Sequence, residues 1–251
     1  KATREPGVAA LTAGPGVTNG MSALGSAQMS NSPVLVLGGR APAMRWGSGS
    51  LQEIDHIPFV SPLTKLAKTA ESADAIPGLI DEALAVSMQP HSGPTFLDFP
   101  MDIVFSPGAD TGPDGALHDP KAEPAADGVE AAKALLDGAE RPAIMAGTNL
   151  YWGHGEDALR ELAERRGIPV CLNGQARGCL PADHELFFSR ARSGALKGAD
   201  VAIVIGVPMD FRLGFGGSIG EDTKVIYVDR ARPERPHPRE VAHELYGGID
   251  A

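Results

Sequence analysis

The sequence predicts an α/β protein made of two doubly wound parallel-sheet domains, and three observations carry that expectation. Short apolar runs alternate with segments of helical spacing along the chain. Glycine-bearing turns follow several of those runs, where the strands of a parallel sheet end and a ligand-facing edge begins. Residues 106–127, rich in Pro, Gly, Asp and Ala and centred on Gly112-Pro113-Asp114-Gly115, interrupt the alternation and read as a linker between domains at 1–105 and 128–251.

In the first domain, residues 8–11 form a short apolar strand and lead into Leu11-Thr12-Ala13-Gly14-Pro15-Gly16-Val17-Thr18-Asn19. Gly14 and Gly16 allow a tight turn, and Thr18 or Asn19 offers an oxygen to cap the helix that follows. That helix, rich in Ala, Ser and Gly over residues 21–30, stops at Ser32-Pro33, and residues 34–40 form a second, buried strand. Ile76, Leu79, Ile80, Ala83 and Leu84 mark a packing helix within residues 72–88, with Ser72 or Asp74 as its cap and Pro90 past its end. Asp81 and Glu82 fall on its solvated face.

The second domain restarts with a helix carrying Val129, Ala132, Leu135 and Leu136. Strands follow at residues 142–147, 168–172, 200–206 and 224–229, and a helix over 157–166 turns Leu159, Leu162 and Ala163 inward. A further helix is expected to begin near residues 245–250, cut short by the chain end. Turns at Gly147-Thr148-Asn149, at Asn173-Gly174 and at residues 206–212 line one crevice at the carboxyl ends of these strands. Asp229, at another strand end, is placed to accept hydrogen bonds from a ribose. Arg177, Arg190, Arg192 and above all Arg212 are candidates to neutralise a pyrophosphate. No GxGxxG fingerprint accompanies them.

Composition narrows the function further. The 251 residues are 43% hydrophobic and 22% charged, which is the balance of a globular chain. A formal net charge of −10, with no basic run interleaved with aromatics, disfavours nucleic acid as a partner. Cys171 and Cys179 lack metal-ligand spacing and are expected to be buried free thiols in a reducing cytoplasm. No apolar run is long enough to span a membrane. His184-Glu185 and His243-Glu244 lack the second histidine of a zinc protease helix, and there is no GxSxG elbow or P-loop. Both histidines are expected on exposed helix or loop.

Three motifs in order give the chain a family likeness: the Gly14-Pro15-Gly16 turn, Gly49-Ser50-Leu51-Gln52-Glu53 followed by Pro62-Leu63-Thr64-Lys65, and the closing strand around Thr95-Phe96-Leu97-Asp98-Phe99-Pro100. Together they resemble the pyrimidine-binding domain of thiamine-diphosphate enzymes, closest to the acetolactate synthase group. The second half resembles the Rossmann-like central domain of the same family. The resemblance implies a carboligase that decarboxylates pyruvate and joins the two-carbon unit to a second 2-keto acid, in branched-chain amino-acid biosynthesis. A 2-hydroxyacyl-CoA lyase or oxalyl-CoA decarboxylase-like enzyme is the alternative, and a non-catalytic nucleotide-binding or assembly fragment is another.

By motif match, Thr12, Gly14, Pro15, Gly16 and Asn19 would lie beside the pyrimidine ring of thiamine diphosphate. Gln52 would reach the cofactor or intermediate, and Lys65 would stand near the substrate channel. His56 is an outside candidate for proton transfer. The loop Arg45-Trp46-Gly47-Ser48-Gly49-Ser50 is expected to be a flexible wall over the substrate entry or an interface segment. Ser50-Leu51 departs from the Ala-Phe usual in acetolactate synthases, which bears on acceptor preference. Gly147, Thr148, Asn149, Asn173, Arg212 and Asp229 would hold FAD or ADP in the central domain. The family's activating glutamate would lie upstream of Lys1, and its Gly-Asp-Gly motif for Mg2+ and diphosphate in a third domain. No metal ligand is therefore expected here, the piece alone is expected to be inactive, and the family's shared active site implies a homodimer or homotetramer.

Overall fold

A computed structural model of the chain describes residues 1–109 and 126–250. The chain divides into two compact units, Lys1–Pro120 and Lys121–Ala251. The centre of the expected linker, residues 110–125, lies outside the described residues.

Unit 1 runs β1 (Gly7–Leu11), α1 (Pro15–Met29), β2 (Val34–Arg40), α2 (Ile57–Val60), β3 (Leu66–Thr69), α3 (Ile76–Met88), β4 (Pro94–Pro100) and α4 (Met101–Val104). Its strands are all parallel, in the order β1-β2-β4-β3. The register sets Leu11 beside Gly38, Gly38 beside Asp98, and Asp98 beside Thr69. One row near the carboxyl edge therefore crosses all four strands. Successive side chains of a strand point to opposite faces, so β2 and β4 build two cores at once. Val36 and Phe96 pack with Val17 and Leu24 of α1, whereas Leu35 and Leu97 pack with Ala83 of α3. Gly38 is required here, because a Cβ on it would stand 2.7 Å from Phe96 Cζ.

The starts of both long helices of unit 1 differ from the sequence expectation. The cap position of α3 is Ala75 rather than Ser72 or Asp74 and carries no side-chain cap bond. Neither Thr18 nor Asn19 caps α1: the helix starts at Pro15 and its cap position is Gly14. The Thr18 hydroxyl instead donates to the Pro15 carbonyl at 3.2 Å. Pro fits the first helical position, where its missing N–H would be unpaired in any case. In α3, Glu82 is engaged in an ion pair with Lys68 of β3 at 2.6 Å, and both side chains remain partly exposed.

Unit 2 runs α5 (Ala126–Asp137), β5 (Pro142–Ala146), α6 (Thr148–Trp152), α7 (Glu156–Arg166), β6 (Val170–Leu172), α8 (Arg192–Gly198), β7 (Val201–Ile205), β8 (Lys224–Asp229) and β9 (His243–Tyr246). Its five strands are parallel, in the order β6-β5-β7-β8-β9. The fifth strand corrects the expectation of a helix start: residues 243–246 extend along β8, and the Gly247 N–H closes onto the Asp229 carbonyl at 3.0 Å. His243 therefore lies in a strand. His184 is mostly buried, its Nε2 3.0 Å from Glu164 and its Nδ1 accepting from the Leu186 N–H at 3.2 Å. Both cysteines are buried thiols outside any disulfide.

Phe96 is fully buried between α1 and the sheet. Phe96→Ala is predicted to cost about 3–5 kcal/mol, read as a lowered denaturant midpoint at unchanged slope.

Candidate functional site

The carboxyl edge of the unit 1 sheet is shaped by one backbone turn. Gly14 has φ +60° and ψ −114°, the values of the first central residue of a type II′ turn, and the Gly16 N–H closes the turn on the Ala13 carbonyl at 3.4 Å. A side chain at Gly14 would also meet protein, since its Cβ would lie 2.9 Å from Gln52 Cβ and 3.0 Å from the Gln52 carbonyl oxygen. Gln52 itself is held at φ +59°. Two residues with left-handed φ are thus pressed against each other, one from the turn after β1 and one from the loop after β2. The Thr12 hydroxyl reaches Gln52 Oε1 across 3.4 Å. Pro15 and Asn19 are exposed beside them, and Gly16 is kept free of a Cβ by Thr12 Cγ2, which would stand 2.5 Å away.

The amide of Gly14 is buried and takes its hydrogen-bond partner from a side chain. Its N–H donates to His56 Nε2 at 3.0 Å. An N–H cannot accept, so Nε2 carries the lone pair and the ring proton sits on Nδ1, which faces Asp98 Oδ2 at 3.3 Å. Arg40 donates to the same oxygen at 2.8 Å and to Asp55 at 3.1 Å, and its guanidinium lies 4.1 Å from the centre of the Trp46 ring. His56 and Asp98 are fully buried. Burial works to raise the Asp98 carboxyl, but the hydrogen bonds from His56 and Arg40, with the Arg40 charge and the neighbouring Thr69, hold it below the usual carboxylate range.

The loop after β2, expected as a flexible wall or an interface segment, carries several internal hydrogen bonds. Glu53 accepts from the Gly47 and Ser50 amides at 2.9 and 3.1 Å, and Asp102 of α4 accepts from Ala43 and Met44 at 2.9 and 3.0 Å. Leu51 projects from it, 88% exposed.

Lys65 stands elsewhere. It immediately precedes β3 and its amide donates to the Pro94 carbonyl, so it lies at the amino edge of the sheet. Its ammonium donates to the Val86 and Gln89 carbonyls at the end of α3, 2.7 Å each. Cations there stabilise unpaired helix carbonyls, and Lys65 is committed to that task. About four residues of strand separate this edge from the Asp98 row, roughly 13 Å. The structure brings Thr12, Gly14, Gln52 and His56 together and leaves Lys65 out. Asp98 and Arg40, by contrast, belong to the cluster, although no motif in the sequence marks either as a site residue. A charge inside an apolar strand needs a partner, and that was the available signal.

In unit 2 the expected crevice residues do meet, but they bind one another. Asp229 is buried and accepts from Asn149 Nδ2 at 2.9 and 3.1 Å, from the Tyr227 hydroxyl at 3.0 Å and from the Arg230 amide at 2.7 Å. A carboxylate has about four acceptor sites, so none is left for a ribose hydroxyl. Burial, with the negative charge of Asp229 beside it, pushes the Tyr227 hydroxyl far up, keeping it a donor. Gly147, Gly174 and Gly206 leave room for protein rather than ligand: a Cβ on them would lie 2.4 Å from Val207, 2.4 Å from Thr148 and 2.5 Å from the Leu150 amide. Thr148 accepts from the Gln175 amide at 3.4 Å. Arg212 is paired with Asp210 and lies over Phe211, 5.0 Å from its ring centre. Asn173 differs, for its Nδ2 is buried without a hydrogen-bond partner among the described residues. The residues chosen for FAD or ADP therefore do not fit a ribose at Asp229. No metal-binding cluster of His, Cys, Asp or Glu occurs among the described residues.

Comparison with known proteins decides the family. Residues 1–59 match the thiamine pyrophosphate enzyme N-terminal TPP binding domain, and residues 129–251 match the thiamine pyrophosphate enzyme central domain. The chain belongs to the thiamine pyrophosphate enzymes. It is 59% identical, over its full length, to the acetolactate synthase large subunit IlvG of Mycobacterium tuberculosis and to a probable acetolactate synthase of Mycobacterium bovis, covering 46% of each. It is 32% identical to human 2-hydroxyacyl-CoA lyase 2, over 91% of the chain and 42% of that protein. The chain thus spans about half the length of these relatives.

Within this family the cluster in unit 1 suits the aminopyrimidine of the cofactor. That ring offers nitrogen acceptors and an amino donor, and the edge presents the Thr12 hydroxyl, the exposed Asn19 amide and the Gln52 amide nitrogen, which has no protein partner among the described residues.

Two predictions follow the geometry. Asp229→Ala strands the Tyr227 hydroxyl and the Asn149 amide, and is expected to lower stability by about 2–4 kcal/mol in denaturant melts. Asp98 has a lowered folded-state value, so its stabilisation is present above the ordinary carboxylate value of about 4 and is lost as pH falls through the folded value. Asp98→Asn should therefore melt below the parent at pH 7, with the gap narrowing in Tm measurements as pH falls below about 4.

Proposed function

We propose that the protein carrying this chain is a thiamine-diphosphate-dependent carboligase that decarboxylates pyruvate and joins the two-carbon unit to a second 2-keto acid, as an acetolactate synthase would. The observation that carries this reading is the 59% identity over the whole chain to a relative named acetolactate synthase. The built edge of unit 1 supports it. When bound, thiamine diphosphate supplies the carbanion chemistry, and the protein orients the reactants and excludes water. Thr12, Gly14, Pro15, Gly16 and Asn19 hold the pyrimidine side, and Gln52 reaches over it. Lys65 serves unit 1 as a helix-end cation.

The remaining parts of the proposal follow the family likeness. Mg2+ and the diphosphate are held outside this chain, and the active protein is a homodimer or homotetramer acting in the cytoplasm in branched-chain amino-acid biosynthesis. Among the described residues no helix is long and apolar enough to cross a membrane. The 32% identity to 2-hydroxyacyl-CoA lyase 2 keeps one alternative reading, cleavage of a 2-hydroxyacyl-CoA. FAD or ADP, if carried, is held by contacts other than the Asp229 carboxylate.

The test is product analysis of the complete protein with thiamine diphosphate, Mg2+ and either pyruvate or a 2-hydroxyacyl-CoA. Acetolactate formed with one carbon dioxide released supports the carboligase. Acyl-CoA cleavage without pyruvate turnover would replace it with the lyase. Gln52→Gly relieves a left-handed side-chain residue, so it is predicted to hold or raise stability by up to about 1 kcal/mol while turnover falls at least about tenfold. Lys65→Met is predicted to lower Tm and leave the KM for pyruvate unchanged.

A further inference from the structure

His56 was a candidate for moving protons, and its surroundings give it different work. The ring is fully buried, its Nε2 lone pair is occupied by the Gly14 N–H at 3.0 Å, and its Nδ1 faces Asp98 at 3.3 Å. Neither nitrogen has a path to a substrate. The groups around it come from several elements: Asp98 and the edge of Phe96 from β4, Arg40 from β2 with Asp55 behind it, and Gly14 from the turn after β1. Arg40 shares Asp98 Oδ2 with the imidazole, so the carboxylate stays charged and holds the ring proton on Nδ1.

We propose that His56 is a positioning residue for the cofactor-facing turn: it is fixed as the Nδ1–H tautomer by Asp98 and Arg40, and its Nε2 holds the Gly14 amide and so sets the backbone that displays Thr12, Pro15 and Asn19. The need for such an acceptor comes from the turn. In a type II′ turn the N–H of the first central residue points away from the closing hydrogen bond, and here it points into the interior. A buried N–H left without an acceptor costs roughly 1–3 kcal/mol, enough to favour another turn geometry. Another geometry would also separate Gly14 from Gln52, whose backbone packs within 3.2 Å of where a Gly14 Cβ would be. One imidazole lone pair thereby fixes both halves of the edge.

The proposal rests on the reading of this edge as the pyrimidine half-site, and the experiment separates the two. In the complete protein, 15N NMR of labelled histidine reads the tautomer, and thiamine diphosphate titration with Mg2+ reads the affinity of the parent, His56→Gln and His56→Leu. The expected result is an Nδ1-protonated, Nε2-unprotonated His56 in the cofactor-free protein. His56→Gln, which keeps an acceptor of similar reach, should bind the cofactor within about threefold of the parent. His56→Leu should bind it at least tenfold more weakly. A proton on Nε2, or His56→Leu with unchanged affinity, would overturn the proposal even if His56→Leu is poorly folded in the first case. A parent that binds no thiamine diphosphate, with the tautomer as expected, would overturn the half-site reading instead.

Discussion

The hydrogen bond from the Gly14 amide to His56 is the interaction on which the rest of unit 1 depends. It joins the turn after β1 to the segment leading into α2, and through Asp98 and Arg40 it reaches β4 and β2. These groups sit at the carboxyl edge because the parallel register puts Leu11, Gly38, Asp98 and Thr69 in one row. Burying the Asp98 carboxylate is costly by itself, and Arg40 with the imidazole proton offsets that cost. The result is a rigid base under a polar, partly exposed surface, an arrangement suited to holding an aromatic ring in one orientation.

Unit 2 uses the same kind of sheet edge differently. Its glycines sit at strand ends, as ligand-binding turns do, yet the volume in front of them is filled by Val207, Thr148 and the Leu150 amide. Its strand-end acid is saturated by Asn149, Tyr227 and a backbone amide. Polar residues at the carboxyl edge of a parallel sheet therefore have two physically distinct uses. In unit 1 they are held from behind and present polar groups outward, whereas at Asp229 they close on each other and tie α6 to β8.

Much of this was legible in the sequence, and the exceptions have physical causes. The apolar runs located β2, β5, β7 and β8, because a strand covered on both faces needs nearly uninterrupted apolar residues. β1 was marked by its short apolar run and the glycine turn after it, although it is a largely exposed edge strand. β9 reads in the sequence as a helix start, since His243, Glu244 and Tyr246 have no apolar alternation at the end strand of the sheet. The Gly14 turn was legible as a turn, while its dependence on His56 was not: the two residues are 42 positions apart, and only the fold sets their distance. Lys65 lay in a motif with Gln52, but sequence proximity does not say which edge of a parallel sheet a residue occupies. Strand direction decides that, and it puts Lys65 at the amino edge.

The central claim is that the aminopyrimidine of thiamine diphosphate is held at the carboxyl edge of the unit 1 sheet. The most direct measurement is a crystal structure of the complete protein with the cofactor bound. The account predicts the ring against the turn of residues 12–16, with Gln52 within hydrogen-bond reach of it. A cofactor ring bound away from that turn, with Gln52 facing solvent, would contradict the account.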